Sequence, residues 1–231
     1  MKLSRILSNR NGVSRKQANA LIASGRVRVN DRVCRTPAQE VDRFSTVRLD
    51  GEIIQAGEAE RYLMLNKPAG YLSATVDDIH QTVLELIAPE LRWHLHIAGR
   101  LDRSSTGLLI LTSNGHWSRK LTEPVVKIPK VYRVTTAHPI SPETEAQFAQ
   151  GIWFEFEGLT TSPAQIELMG EREARVTIYE GRYHQIKRMF HAVGNRVTTL
   201  HRERMGGIAL DDNLPPGDYR SLTREEIDSV Q

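Results

Sequence analysis

The sequence predicts a mixed α and β protein in two domains, a small basic one followed by a larger one. Two periodicities alternate along the chain: apolar residues recur at helical spacing in some stretches and alternate like strands in others. Charge is also unevenly divided. Residues 1 to 50 hold eleven Lys and Arg against four Asp and Glu, a net of +7, which leaves −4 for the remainder of a chain whose formal charge is +3. A length of 231 residues suits one large domain or two small ones. The expected division is a basic domain over residues 1–58 and a second domain over residues 60–231, with Ala56-Gly57-Glu58-Ala59-Glu60 as linker.

In the first domain, Leu3, Ile6 and Leu7 fall at helical spacing and Asn11-Gly12 stops that helix. Ser14 is an N-cap for a second helix with Ala18, Leu21 and Ile22 as its apolar stripe and Gly25 at its end. Arg15 and Lys16 occupy the first turn of that helix, where the macrodipole disfavours cations. Their presence there points to a task other than helix stability. Val27-Arg28-Val29 alternates like a strand before the turn Asn30-Asp31, and Thr46 to Leu49 is a second strand turning at Asp50-Gly51.

In the second domain, Tyr62 to Leu65 predicts a strand and Asn66-Lys67-Pro68-Ala69-Gly70-Tyr71 a turn set by Pro68 and Gly70. Val83 to Ile87 suits a short helix. Gly99-Arg100-Leu101-Asp102-Arg103 is a loop leading through Gly107 into the apolar run Leu108 to Leu111, a buried strand. Arg100 and Arg103 flank Asp102, and either cation favours its ionised form. Trp117 to Leu121 predicts a helix, Lys130 to Val134 a strand with Tyr132 at its middle, and Pro142 to Gln150 a helix with Ser141 at N-cap. Ala174 to Tyr179 alternates as a strand. A helix from Tyr183 carries Ile186, Met189, Phe190 and Val193 on one face, with His184, Lys187, Arg188 and His191 towards the other. Val197 to His201 is a strand, Asp211 to Pro216 a loop, and Thr223 to Val230 a C-terminal helix.

Composition narrows the function classes. No apolar run is long enough to span a bilayer, and Met1-Lys2-Leu3-Ser4-Arg5 lacks the apolar segment of a signal peptide. A soluble cytoplasmic protein is expected. The single cysteine, Cys34, allows no intramolecular disulfide. There is no GxxxxGK[ST] phosphate loop and no GxGxxG fingerprint, so no nucleotide cofactor is expected. His94-Leu95-His96 has metal-like spacing, but strand alternation explains it as well and no third ligand is evident. The basic first domain is suited to an anionic partner, nucleic acid foremost.

Four stretches carry a resemblance. Gly99-Arg100-Leu101-Asp102, the hydroxyl-rich Ser104-Ser105-Thr106, Gly107-Leu108-Leu109 and Leu111-Thr112-Ser113-Asn114-Gly115 together resemble the catalytic motif of the RsuA-type pseudouridine synthases, which modify ribosomal RNA. Leu65-Asn66-Lys67-Pro68-Ala69-Gly70 is similar to an element packing near the active cleft of that family. Glu180-Gly181-Arg182-Tyr183-His184-Gln185-Ile186-Lys187-Arg188-Met189 resembles its third motif, and Leu200-His201-Arg202-Glu203-Arg204 with Gly206-Gly207 its closing element. The spacer departs from the usual acidic-Thr-Thr-Gly at Ser104 and Ser105. Val13 to Ala18 and Ile22 to Asn30 look like the αL (ribosomal-protein-S4-type) RNA-binding module.

This resemblance implies a catalytic domain built on a mostly antiparallel sheet with flanking helices, so the fold class is α+β. It implies that Asp102 acts on the ribose as nucleophile or base, that Lys187 pairs with it, that Tyr132 stacks on the target uracil and that Arg100 fills the space left by a flipped nucleotide. It implies that Arg15, Lys16, Arg26 and Arg28 meet RNA phosphates. The expected reaction is isomerisation of a uridine in small-subunit ribosomal RNA, naked or in an assembly particle, by a monomer needing no cofactor, metal or membrane. The alternatives are action on large-subunit RNA, a non-catalytic RNA-binding assembly factor, and a nucleoside hydrolase releasing free uracil.

Overall fold

The computed structural model describes residues 1–10 and 12–230, with Pro124 described by its backbone alone, and divides after Glu60 into two compact units. The first holds α1 (Leu3–Ser8), α2 (Arg15–Ala23), β1 (Val27–Val29), β2 (Arg32–Cys34), β3 (Val47–Leu49) and β4 (Glu52–Gln55). The helices pack Leu3, Leu7, Ala18 and Ile22 against Val27 and Val47 of a four-stranded sheet ordered β2-β1-β3-β4. Ser14 and Gln17 form a reciprocal capping box at α2: the Gln17 amide donates to Ser14 Oγ at 3.3 Å and the Ser14 amide to Gln17 Oε1 at 2.8 Å. Both tight hairpins turn on pairs of residues with positive φ, Asn30-Asp31 and Asp50-Gly51, the conformation that matches strand twist. Of the helix stop expected at Asn11-Gly12, Asn11 lies outside the described residues.

The second unit contains β5 (Tyr62–Lys67), β6 (His96–Ala98), β7 (Thr106–Thr112), α3 (Gly115–Thr122), β8 (Lys130–Thr136), α4 (Glu143–Gln150), β9 (Trp153–Phe154), β10 (Leu159–Thr160), β11 (Gln165–Gly170), β12 (Glu173–Ile178), α5 (Gln185–Ala192), β13 (Val197–Met205), β14 (Ile208–Ala209), β15 (Tyr219–Ser221) and α6 (Arg224–Asp228). Its main sheet runs β11-β12-β8-β13-β7-β5-β15, with β14 added to β13 and β6 to β7. Among the described residues every pairing is antiparallel except β13 with β7.

The unbroken apolar run of β7 follows from burial on both sides. Leu109 and Leu111 face a core shared with Leu63, Leu65, Tyr132, Phe148 and the α5 residues Ile186, Met189 and Phe190. Leu108 and Ile110 face a second core with Met64, Trp117, Leu121 and Met205.

Several elements differ from sequence expectation for local reasons. β5 continues through Asn66 and Lys67 because both are buried and pair with β7. The Val83 to Ile87 segment is a single 3-10 turn. α5 begins two residues later than expected because His184 takes a left-handed conformation, φ 49°. α4 is capped one residue later, with Pro142 rather than Ser141 at its N-cap. β13 extends to Met205, so Arg202 and Arg204 lie in the strand.

The feature that positions the site is a change of partner along one edge of β7. Thr106 and Gly107 pair with β13, whereas Ile110, Leu111 and Thr112 pair with β6. Between these segments sits the guanidinium of Arg202, 1% exposed, whose Nε donates to the Leu108 carbonyl at 2.8 Å and whose Nη2 donates to the Gly99 carbonyl at 2.7 Å. The residues between β6 and β7 cannot continue the hairpin, because β13 occupies the edge, and they rise out as a loop. Gly107 permits the close approach. Its φ is +97°, and a Cβ there would overlap the Arg202 carbonyl and lie 2.8 Å from the Arg202 nitrogen. Gly107→Ala is therefore expected to lower unfolding free energy by more than about 2 kcal/mol, measured by urea denaturation, whereas Gly181→Ala, where no atom stands within 4 Å, leaves it within about 0.5 kcal/mol.

Candidate active site

The loop at positions 99–105 carries Asp102, and the segment after β5 holds it from below. Ser73 Oγ donates to the Leu101 carbonyl at 2.7 Å and accepts from the Leu101 amide at 3.1 Å. The Gly70 amide donates to the Arg103 carbonyl at 2.8 Å, and Arg103 Nε donates back to the Gly70 carbonyl at 3.0 Å. The fully buried Lys67 ammonium donates to the carbonyls of Ser105 at 2.8 Å, Pro68 at 3.0 Å and Arg103 at 3.3 Å. A turn in which the Ser105 amide donates to the Asp102 carbonyl at 3.0 Å closes the loop. Burial pushes the Lys67 pKa down to about 8, although the nearby Asp102 carboxylate opposes the shift. An exposed turn lysine would do none of this. The signal in the sequence is that Lys67 directly continues a buried strand.

Helix α5 approaches from the other side. Its entry is set by Glu180, whose Oε1 accepts from Gln185 Nε2 at 2.8 Å and from the Ser162 amide at 3.0 Å, while Oε2 accepts from Arg182 Nε at 3.1 Å. Gln185 is buried and its Oε1 accepts from the Arg182 amide at 3.0 Å. This network forces the turn that leaves His184 left-handed and aims the first turn of α5 at the loop. Lys187 Nζ then donates to Asp102 Oδ2 at 2.7 Å and to Ser104 Oγ at 3.1 Å. His184 Nε2 stands 3.4 Å from the other carboxylate oxygen, Oδ1. The Asp102 side chain is 26% exposed, accessible to a substrate yet partly screened from water.

These groups border a cleft of about 390 Å³ lined by Arg100, Leu101, Asp102, Tyr132, Ile178 and Arg202 among others. Tyr132 is 6% exposed; its hydroxyl accepts a 3.4 Å hydrogen bond from Arg202 Nη1, and its ring is left to face the cleft. Lys130, two residues earlier on β8, also lines the cleft, with its Nζ donating to the Ile128 carbonyl at 3.2 Å. Burial, reinforced by Arg202, pushes its pKa down to about 8. An ionised carboxylate fixed at the mouth of a cleft with an aromatic wall can act as nucleophile or base on a flat ring and its attached sugar.

Of the expected catalytic set, Asp102, Tyr132 and Arg100 line one cleft and Lys187 bonds the first of them. Arg100 is exposed and has no partner among the described residues. The expected RNA-contacting residues divide. Arg15 and Lys16 are exposed and free of partners among the described residues. Arg26 instead forms a bidentate ion pair with Asp50, and Arg28 Nη1 donates to the Asp31 carbonyl at 2.9 Å, so both serve the hairpins of the sheet. His94 and His96 are exposed, and no group of three or more potential metal ligands occurs among the described residues. Arg202, His184 and Lys130 also line the cleft, although in the sequence they stand only as members of motif stretches or of a strand. Each looks locally like an ordinary strand or surface residue.

Residues 61–192 match the family model described as RNA pseudouridylate synthase, and residues 1–47 match that of the S4 domain. Over 230 residues and the full length of both chains, the protein is 52% identical to a Pseudomonas aeruginosa protein named ribosomal small subunit pseudouridine synthase A. It is 45% identical, again over both full chains, to the Escherichia coli K12 protein of the same name. A solved structure described as a pseudouridylate synthase superposes with a TM-score of 0.74 at 35% identity, covering 100% of each chain.

The buried lysines predict a pH dependence. An unfolded lysine holds its proton up to about 10.5, whereas folded Lys67 and Lys130 release theirs from about 8. Across that window the unfolded state binds more protons, so these residues make stability rise with pH. In denaturant titrations from pH 7 to 10.5, Lys130→Met is expected to gain its largest advantage over the wild type at pH 7 and to lose it progressively towards pH 10.5.

Proposed function

The chain belongs to the RNA pseudouridylate synthase family, and from that premise we propose that it isomerises a specific uridine to pseudouridine in small-subunit ribosomal RNA. The observation that carries this reading is the Asp102–Lys187 ion pair at a cleft walled by Tyr132. Asp102 works at the ribose, as nucleophile on C1′ or as base towards a sugar proton. Lys187 holds the carboxylate in place through its 2.7 Å bond to Oδ2. Tyr132 offers its ring to the face of the uracil. A base inside an RNA helix is out of reach, so the nucleotide is flipped, at a cost of a few kcal/mol. Arg100, exposed and unpartnered among the described residues, is available to fill the vacated space. Substrate and product are isomers, so no co-substrate or redox cofactor is consumed.

The names of the Pseudomonas aeruginosa and Escherichia coli relatives support the small-subunit target. The S4 domain supports a separate RNA-gripping role for the first unit, with Arg15 and Lys16 as its free phosphate contacts and Arg26 and Arg28 contributing while held by their own hairpins. On this reading the protein acts as a cytoplasmic monomer.

Tritium release from uracil C5 of labelled small-subunit RNA, naked or as assembly particles, tests the proposal. Asp102→Asn is expected to reduce release by at least about 10³-fold with RNA binding intact. If the wild type releases none from small-subunit RNA but does from large-subunit RNA, the large subunit is its target; if it releases none from either yet binds with a strong salt dependence, a non-catalytic assembly factor replaces the enzyme. Separately, Arg15→Ala with Lys16→Ala is expected to weaken binding to all RNA sequences alike and to lower the salt slope by roughly one per lost phosphate contact, read by filter binding at several salt concentrations.

A further inference from the structure

Uridine and pseudouridine differ by two bonds and one proton position. The N1–C1′ bond breaks, a C5–C1′ bond forms, the proton on C5 leaves, and N1 gains a proton. Once C5 is joined to C1′, the C5–H pair of electrons must return to the ring, restoring its C5–C6 double bond, and a base must take the proton. That carbon is then bonded directly to C1′. A group beside the carboxylate that works at C1′ is therefore also beside C5.

Among the described residues, Lys187 and His184 stand against the Asp102 carboxylate. Lys187 Nζ holds Oδ2 at 2.7 Å and is a cation with no lone pair to offer. His184 Nε2 lies 3.4 Å from Oδ1, and its ring lines the cleft. From this geometry we infer that His184 is the base that removes the C5 proton, which rests on the isomerase reading above. As in other carboxylate–imidazole pairs, the nitrogen facing the carboxylate, here Nε2, carries a hydrogen towards Asp102, and the other ring nitrogen, Nδ1, takes the proton. The partial exposure of His184 lets that proton pass on to water while N1 takes one up, which completes the balance.

The other groups of the cleft are less fit for this step. Both Glu180 oxygens accept hydrogen bonds from Gln185, Ser162 and Arg182. Lys130, with a pKa of about 8, is mostly protonated at neutral pH. The Tyr132 hydroxyl accepts from Arg202. His184 is held for the task. Its backbone is left-handed at φ 49°, an unfavourable conformation for a residue of this size. Tyr183 stacks on its ring at 3.9 Å with planes 17° apart. Tyr183 is itself 75% exposed, so the stack orients the imidazole without burying it.

The test compares pseudouridine formation from small-subunit RNA carrying either ordinary or C5-deuterated uridine, using the full chain. The variants are His184→Asn and His184→Gly, since both residues tolerate a left-handed backbone. Both are expected to fold and bind RNA, to form product about 10²- to 10⁴-fold more slowly, and to show a primary C5 isotope effect larger than that of the wild type. Added imidazole is expected to restore part of the His184→Gly rate. Variants that match the wild-type rate overturn the inference. So do variants slowed with an unchanged isotope effect and no rescue, which would make His184 a positioning residue for Asp102. A wild type that forms no pseudouridine overturns the isomerase reading and this inference with it, whereas an active wild type with unaltered isotope behaviour in the variants overturns this inference alone.

Discussion

The catalytic unit depends on a buried guanidinium that fills a fault in a sheet. β7 cannot pair with β13 and β6 along the same edge at the same place, and the gap between them leaves carbonyls without ladder partners. Arg202 supplies the donors for Leu108 and Gly99 from inside the core. An unpaired buried carbonyl costs about 1–3 kcal/mol, and a buried charge without partners costs more, so the arginine and the fault are mutually necessary. The result is a loop that leaves the sheet at Gly99, returns at Thr106 and has only one way to run. Gly107 belongs to the same solution, because only a residue without Cβ lets β13 come this close.

A loop that protrudes from a sheet would ordinarily be mobile. Here its carbonyls are tied to the end of β5 by Lys67 and to the segment after it by Gly70 and Ser73, and its carboxylate is tied to α5 by Lys187. Preorganisation of this kind removes the reorganisation that would otherwise be needed at the moment of reaction. The electrostatics follow the same plan. Lys187 bonds the Asp102 carboxylate, and the buried Lys67 ammonium lies near enough to feel its charge. On the proposed reading, such positive charge suits a cleft that receives an RNA strand.

The first unit uses its cations in two ways. Arg26 and Arg28 are spent on the hairpin turns at Asp50 and Asp31, where their pairs hold the small sheet. Arg15 and Lys16 sit in the first turn of α2, against the helix dipole and without protein partners among the described residues. The capping box of Ser14 and Gln17 offsets that local penalty and keeps the helix end intact. Identical residue types with similar spacing thus have different duties, decided by whether an acid or a carbonyl lies within reach.

The amino-acid sequence by itself determined the main helices and most of the longer strands, the uneven charge and the motif around Asp102, but not the short strands such as β2, β9, β10 and β15. The features it determined depend on local chemistry: the two-sided burial of Leu108 to Leu111 shows as an unbroken apolar run, the cap at Ser14 as Ser followed by Gln three residues on, and the Asp102 loop as an acid between glycines. Tertiary structure decided which polar groups meet. Lys67 and Arg202 look from sequence like a turn lysine and a strand-end arginine, yet each is buried because carbonyls from distant segments converge on it. His184 faces Asp102 because Glu180 and Gln185 force a left-handed residue ahead of α5, and it is 82 positions away along the chain. Sequence patterns report what a residue does to its near neighbours along the chain. Contacts such as these depend on how the strands are ordered, and that order is set by the packing of the whole sheet.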